Sequence, residues 1–373
     1  MQKRYQICTR CVMDTSDKEI TFTEKGECNH CRGYDINMQS IPKDEVLKRK
    51  ELDRIVDEIK KAGKGKEYDC ISGVSGGVDS TYLTYMLKVL GLRVLVVHLD
   101  NGWNSELAVK NIENIVTKLD FDLYTNVLDW QEFKSLQVAY LKASVLDLEA
   151  LSDHAIFATL YKTANKYNIK NIITGGNLVT EGILPMSWRY DRKLTDAVNI
   201  KSIYKQFGGK KIESFPSTSI QKLAYYMKVK KIKMIDLLNF LPYEKDEAKR
   251  IITEKLDWKD YGGKHYESII TRFYQGYILP NKFGIDKRRA HLATLVASNQ
   301  MSRESAIEVL KTPTLPDEIL RQDIEYVPKK LGLSNKEFED IMKQTPKSHE
   351  DYPTDLKLRN ILFGINRKVI KNG

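Results

Sequence analysis

The chain has 373 residues, of which 42% are hydrophobic and 29% charged, an ordinary globular balance that excludes a disordered or collagen-like chain and allows two or three domains. Sixty Lys and Arg against 50 Asp and Glu leave a net charge of +10, which favours phosphate-bearing partners (nucleotide, nucleic acid or an anionic surface) without choosing among them, and is equally what a lysine-rich solvated surface gives. Apolar runs such as Val94–Val97 fall far below the ~18 residues needed to cross a bilayer. The segment Met1–Gln6 lacks the apolar core of a secretory signal, so a cytoplasmic protein with no membrane partner is expected.

In chain order, the first 35 residues carry four of the five cysteines, as two C-x2-C pairs with 16 residues between them: Cys8, Cys11, Cys28 and Cys31. Two such knuckles offer four thiolates to one tetrahedral Zn2+. The residues between them are polar and too few to fold by apolar burial, so the metal supplies the stability. Four thiolates leave no open coordination position, and the site is therefore structural. A redox C-x-x-C is the alternative; it does not require the second pair. His30 is expected to be exposed in the knuckle rather than a ligand. Residues 36–67 are charged, with Leu47, Leu52, Ile55, Val56 and Ile59 on one helical face, and predict a helix linking the ribbon to the next domain.

From Tyr68 the pattern changes. A strand (Cys70–Val74) meets a glycine turn and a helix that ends at Gly91; strands follow at Arg93–Leu99, Asp122–Val127 and Asn171–Thr174, with helices between them. Such alternation predicts a parallel sheet with helices on both faces, and ligands at the carboxyl ends of its strands. Cys70 is expected to be a small core thiol in the first strand. The expected organisation is a zinc ribbon at 1–35, a linking helix at 36–67, an α/β domain at 68–200, and a mainly helical substrate- or partner-binding region at 201–373 whose last sixty residues carry no motif.

Ser75-Gly76-Gly77-Val78-Asp79-Ser80 stands between the first strand and its helix. Paired glycines let the backbone turn tightly with amides inward, two serines add hydroxyls, and the helix start is positive, so the turn can cradle a phosphate. Asp79 would cap the helix or hold Mg2+. No Lys follows the glycines, so this is not the common nucleotidase loop, and it is not G-x-G-x-x-G. S-G-G-x-D-S after a strand resembles the pyrophosphate-binding loop of the PP-loop ATP pyrophosphatases, whose fold is of the adenine nucleotide α-hydrolase type; an ordinary strand–helix turn is the alternative. The resemblance implies cleavage of ATP between its α- and β-phosphates and an adenylated intermediate. It also implies that adenine lies at the end of the second strand, near Val97, His98 and Asp100, with Gly175 and Gly176 closing the nucleotide site. His98 as a plain strand residue, and Gly175-Gly176 as a plain helix-start turn, are the competing readings.

In such enzymes sulfur or nitrogen displaces AMP from the primed carbonyl. Sulfur insertion ordinarily draws on cysteines near the site, and here four are committed to metal and the fifth precedes the loop in a strand. Nitrogen is favoured. Releasing ammonia from glutamine requires a nucleophilic cysteine; Met1-Gln2 provides none at the chain start, so a separate glutaminase subunit is expected.

The distal blocks sharpen this reading. They are Thr180-Glu181-Gly182-Ile183, Ser187-Trp188, Leu256-Asp257-Trp258-Lys259-Asp260-Tyr261-Gly262-Gly263-Lys264-His265-Tyr266-Glu267-Ser268, Thr271-Arg272-Phe273-Tyr274-Gln275, Leu279-Pro280-Asn281-Lys282-Phe283-Gly284 and Asp286-Lys287-Arg288-Arg289-Ala290-His291. Together with the ribbon they resemble the N-acetyl sugar amidotransferase family, from Cys8 to about Leu310. The resemblance implies an ATP-dependent ligase that adenylates the acetamido oxygen of a nucleotide-linked sugar and replaces it with ammonia, giving an acetamidino group in bacterial lipopolysaccharide, surface-polysaccharide or flagellar-sugar biosynthesis, together with a glutaminase and a cyclase-like ammonia-channelling subunit. Lys264, Arg272, Lys282, Lys287 and Arg288 are the candidates for pyrophosphate and sugar-nucleotide contacts, and His265 or Glu267 for moving the proton lost from ammonia. Asn177, Glu181 and Trp188 are the candidates for substrate, Glu181 also for Mg2+. Each basic residue is also readable as a solvated surface charge, and Trp188 as core. A tRNA-modifying PP-loop enzyme, lysidine-synthetase-like or thiolase-like, is the nearest rival, and a nucleotide-sensing adaptor the next; nucleic acid is not the expected partner.

Overall fold

The computed structural model of the protein describes residues 4–209, 211–263 and 266–363. Its elements are, in order, α1 (Asn29–Met38), α2 (Glu45–Gly63), β1 (Cys70–Gly73), α3 (Val78–Val89), β2 (Val94–Asp100), α4 (Glu106–Leu119), β3 (Asp122–Val127), α5 (Trp130–Ala143), α6 (Ala150–Lys166), β4 (Asn171–Thr174), α7 (Leu178–Glu181), α8 (Ala197–Phe207), α9 (Ile220–Ala224), β5 (Lys233–Asp236), α10 (Lys245–Leu256), α11 (Ile269–Phe273), α12 (Arg288–Ala297), α13 (Arg303–Lys311), α14 (Asp317–Leu331), α15 (Asn335–Lys343) and α16 (Leu356–Phe363). Helix starts follow local chemistry: Asp44, Ser105 and Asp129 each accept a backbone N–H of their own first turn.

The five strands form one parallel sheet in the order β3-β2-β1-β4-β5. β1 and β2 are covered on both faces, which is why they read as continuous apolar runs. On one face lie α2, α3, α4 and α10, packing Leu52, Ile59, Leu83, Ile115 and Ile252 around Cys70 and Val96. On the other, Phe157, Leu160 and Tyr161 of α6 pack on Ile71, Leu95 and Ile172. Each such side chain withdrawn from water contributes roughly 1.5–3 kcal/mol.

Three sequence expectations are corrected here. The helix over 36–67 does more than link: α2 is a layer of the α/β core, although Leu47 itself is exposed. The region 201–373 is mainly helical, as expected, but it also contributes the fifth strand; Lys233-Met234-Ile235-Asp236 is four residues long, half charged and at the sheet edge, where charge rather than an apolar run is the rule. The α/β body consequently extends through α10 to Trp258. His30, expected to be exposed, is largely covered, and its Nε2 lies 2.6 Å from Asp17 Oδ2.

The ribbon packs on the C-terminal helices. Arg303 donates to the carbonyl oxygens of Cys8 (2.8 Å) and Cys11 (3.0 Å). Arg289 donates to that of Val12 (2.6 Å) and pairs with Asp14 (3.1 Å). Among the described residues no helix is long and apolar enough to cross a membrane. Arg303→Ala strands the Cys8 and Cys11 carbonyls at a cost of about 1–3 kcal/mol. The expected outcome is faster reaction of the ribbon thiols with a thiol reagent while circular dichroism of the remaining fold is unchanged.

Candidate functional site

Sheet order reverses direction between β1 and β4, and the loops that follow these two strands open a crevice at their carboxyl ends. The loop after β1 is shaped by its glycines. Gly76 has φ +81°, and a Cβ on it would lie 2.7 Å from the Ala108 carbonyl oxygen. Gly77 is the N-cap of α3 and brings no capping side chain, so the helix start faces the crevice. Ser75 Oγ accepts the Gly77 N–H (3.3 Å), Ser80 Oγ donates to the Gly77 carbonyl (3.2 Å), and the Trp258 indole donates to the Gly76 carbonyl (2.9 Å). From the other side, Gly175 stands where a Cβ would be 3.5 Å from the Asp79 carbonyl carbon and the Ser80 nitrogen. The chain thus meets at one point from β1 and β4, with only glycine able to pass on the β1 side.

The crevice has a volume of about 320 Å³, and its walls are the loop (Ser75, Gly77, Val78, Asp79, Ser80), Gly175, Thr180 and Glu181 of α7, Lys245 and Lys249 of α10, and Asp260, Tyr261, Gly262, Gly263 and Glu267. The Tyr243 hydroxyl donates to Asp79. Burial, and then the Asp79 charge, hold the Tyr243 phenol well above its ordinary range; burial, Glu267 and Asp79 do the same to Tyr261. Both phenols therefore stay protonated at neutral pH. Against the cost of burial, Lys249 at 2.6 Å holds the Asp260 carboxyl below its usual range.

Of the residues singled out in the sequence, Ser75, Gly77, Val78, Asp79, Ser80, Gly175, Glu181 and Glu267 meet in the crevice, and Gly76 backs the loop. Lys264 and His265 lie outside the described residues. The other basic candidates brace the helical body instead. Arg272 makes a two-pronged bond to Asp323 (2.8 and 2.7 Å), Lys287 pairs with Glu149 (2.8 Å), and Arg288 pairs with Asp286 (2.7 Å) and donates to the Pro313 carbonyl (3.0 Å). Lys282 reaches the Ile341 carbonyl, and burial pushes its amine down to about 8. Trp188 is core. Val97 is buried on the face covered by α6. His98 Nδ1 lies 3.0 Å from the Val74 carbonyl oxygen and its Nε2 lies 3.0 Å from the Asn104 side-chain amide, so the ring braces the two loops. Asp100 accepts the Gly102 N–H (2.9 Å), Asn177 caps α7, and Gly176 lies against Asp236.

The sequence reading missed Thr180, Tyr243, Lys245, Lys249 and Tyr261. The signal for two of them was Lys245 and Lys249 spaced i, i+4 on one helix face, legible only once β5 is known to place that helix beside the crevice.

Two family models match the chain. Residues 65–180 match the thiamine biosynthesis protein (ThiI) model, and residues 267–363 match the C-terminal domain of the WbpG-like LPS biosynthesis proteins. A PP-loop domain is joined here to a WbpG-like C-terminal domain. An uncharacterized protein of Methanocaldococcus jannaschii is 27% identical over 325 residues, covering 84% of this chain and 96% of its own length. The tRNA(Ile)-lysidine synthase of Chlamydia pneumoniae is 32% identical over 118 residues, which is 26% of this chain and 37% of that protein. Among solved structures, NMN synthetase from Francisella tularensis superposes with a TM-score of 0.30 at 15% identity over 60% of this chain and 90% of its own. The NH3-dependent NAD synthetase from Campylobacter jejuni gives 0.29 at 16% identity, over 56% and 93%.

PP-loop enzymes use ATP with Mg2+, and the crevice suits the nucleotide: a helix start with no capping side chain, two hydroxyls, two lysines, and carboxylates at Asp79, Glu181 and Glu267 from which a cation's ligands could be drawn. The four ribbon thiols suit a single zinc ion. Their Sγ atoms all lie within 4.8 Å of one another, with Cys8–Cys31 at 3.9 Å and Cys11–Cys28 and Cys28–Cys31 at 3.7 Å. A tetrahedron of Zn–S bonds of about 2.3 Å has edges of roughly 3.8 Å. The N–H groups of Arg10, Cys11 and Cys28 point at Cys8 Sγ, as expected for a thiolate.

Gly76→Ala forces a side chain into the left-handed region and against the Ala108 carbonyl. The expected strain is about 1–3 kcal/mol, read as a lowered melting temperature with loss of ATP binding in a calorimetric titration.

Proposed function

We propose that the protein is the ATP-dependent synthetase subunit of an amidotransferase that converts the acetamido group of a nucleotide-linked sugar to an acetamidino group, in the biosynthesis of a bacterial surface polysaccharide or flagellar sugar. The observation that carries this reading is a thiol-free crevice around the serine–glycine loop, in a chain that continues into a WbpG-like LPS biosynthesis domain. Four of the five cysteines form the ribbon cluster, and the fifth, Cys70, is fully buried in β1, where burial pushes its thiol well above the ordinary range. No wall of the crevice can carry a persulfide, and this favours nitrogen over sulfur as the incoming atom.

In the proposed reaction the amide oxygen attacks the α-phosphorus and pyrophosphate leaves. Ammonia then adds to the carbon of the imidate adenylate, AMP departs with the former amide oxygen, and one proton is given up. The loop amides, Ser75, Ser80 and the start of α3 receive the pyrophosphate. Lys245, and Lys249 in the share of its charge that Asp260 does not hold, offset the charge that grows on it, and Mg2+ when bound supplies further charge neutralisation. In this scheme Glu267, whose carboxylate lies beside Gly77, takes the proton. An amide oxygen is a weak nucleophile, so orientation in a closed crevice carries much of the rate. Since this chain has no free thiol at the crevice, ammonia would arrive from a separate glutaminase, with a cyclase-like subunit as conduit.

A tRNA-modifying reading draws support from the lysidine synthase match and the basic charge. Against it, Arg272, Lys287 and Arg288 spend their charge on Asp323, Glu149 and Asp286 rather than offering it to a phosphate backbone. The deciding measurement is AMP and pyrophosphate release from ATP with ammonium ion and an acetamido nucleotide sugar, set beside the same assay with total tRNA. Turnover with the sugar, and a fall of roughly 10–100-fold in kcat for Lys249→Ala, are expected. Turnover with tRNA alone would overturn the assignment.

A further inference from the structure

The ribbon reaches the crevice through one helix. α1 begins at the second knuckle, with Cys28 as its N-cap and Cys31 in its first turn. Tyr34 follows one turn on and is buried. Its ring lies against Gly182, where a Cβ would come within 2.8 Å of two ring carbons and 2.4 Å of the Leu178 carbonyl oxygen. Gly182 ends α7, and α7 carries Thr180 and Glu181 into the crevice. Ser298, beside Tyr34, donates its hydroxyl to the Val179 carbonyl at 2.8 Å. A second tie from the ribbon follows five residues later, where Ser187 donates to Asp17 at 2.6 Å.

α7 is four residues long, far below the length at which a helix holds its own shape. Its start is fixed by Asn177, which caps it, and by Asn239, which accepts the Leu178 N–H at 2.8 Å. Its end is fixed by the ribbon and by Thr294, which accepts the Ile183 N–H at 3.0 Å. We propose that Tyr34 is a positioning residue through which the four-cysteine knuckle sets Thr180 and Glu181 in the crevice, so that metal retention in the ribbon and ATP binding some way off are coupled. A ribbon without metal cannot keep α1 in register, because Cys28 and Cys31 open that helix; α7 then loses the ring that Gly182 packs on. The inference rests on the reading that the crevice binds ATP.

The test uses the full chain with its metal. Zinc content, calorimetric affinity for ATP with Mg2+, and protease protection of residues 178–188 are measured for the parent, for Tyr34→Ala, for Tyr34→Phe, and for the parent stripped by a chelator. Tyr34→Ala should keep its zinc and bind ATP roughly tenfold more weakly or worse, as a small misplacement of a site group does. Tyr34→Phe, which keeps the ring, should recover most of that affinity. Stripping the parent should reproduce the loss, and stripping Tyr34→Ala should add little to it, as for two changes acting through one contact. A Tyr34→Ala protein with full zinc and parental affinity overturns the proposal, as does a stripped parent that still binds ATP normally. Should Tyr34→Ala fail to fold, Ser298→Ala is read the same way, with a smaller loss in the same direction expected and unchanged affinity overturning. A parent that binds no ATP overturns the ATP reading alone; the coupling is then judged by protease protection of 178–188, which both stripping and Tyr34→Ala must reduce.

Discussion

The whole crevice depends on how closely the Gly76 backbone passes Ala108. That approach brings the chain round from β1 into α3 without a side chain in the way, and it aims the start of α3 outward. The Trp258 indole fixes the same peptide from the other side by bonding its carbonyl. A peptide held from two sides keeps its neighbouring amides at a fixed angle before any ligand arrives, and such preorganised donors cost no rearrangement when charge develops beside them. Trp258 lies at the end of α10, so the element that fixes the loop also carries the two lysines facing it. The phosphate cradle and its counter-charges are therefore one mechanical unit.

What was legible in the sequence followed from periodicity and local chemistry. Four strands, the serine–glycine loop and the paired knuckles each show within a window of a few residues, because apolar alternation, φ-permissive glycines and C-x2-C spacing are local properties. β5 was not legible, since an edge strand four residues long with a charge at each end has no apolar signature. Losing it hid α10 as part of the crevice wall. The ion pairs of the basic candidates were hidden for a different reason. Arg272 is drawn to Asp323, 51 residues on, and Lys287 to Glu149, 138 residues back; no short window contains both partners, so these two cations read as unspent, whereas Arg288 has its partner Asp286 only two residues before it.

The same reasoning accounts for the ribbon. Its metal site is spelled out by four residues, but its place in the molecule is not, because Arg303 and Arg289 hold it largely through main-chain carbonyls of Cys8, Cys11 and Val12. Carbonyl acceptors belong to every residue and leave no trace in composition. Two arginines from the helical region and Asp17 bonding Ser187 turn what reads as an N-terminal appendage into the far wall of the body that carries the crevice.

The charge of the crevice also bears on its chemistry. Among the described residues its walls hold Asp79, Glu181, Asp260 and Glu267 against Lys245 and Lys249. Among the described side chains, the surplus of 10 positive charges over the chain is thus not concentrated at the crevice. With Lys249 already paired to Asp260, the described side chains alone would repel a ligand of several negative charges; binding would lean on backbone amides, the start of α3 and a divalent cation. Such a site favours a ligand that brings a divalent cation with it. The acidic bias of these walls is consequently an argument for nucleotide chemistry at the crevice that the net charge of the protein, taken by itself, conceals.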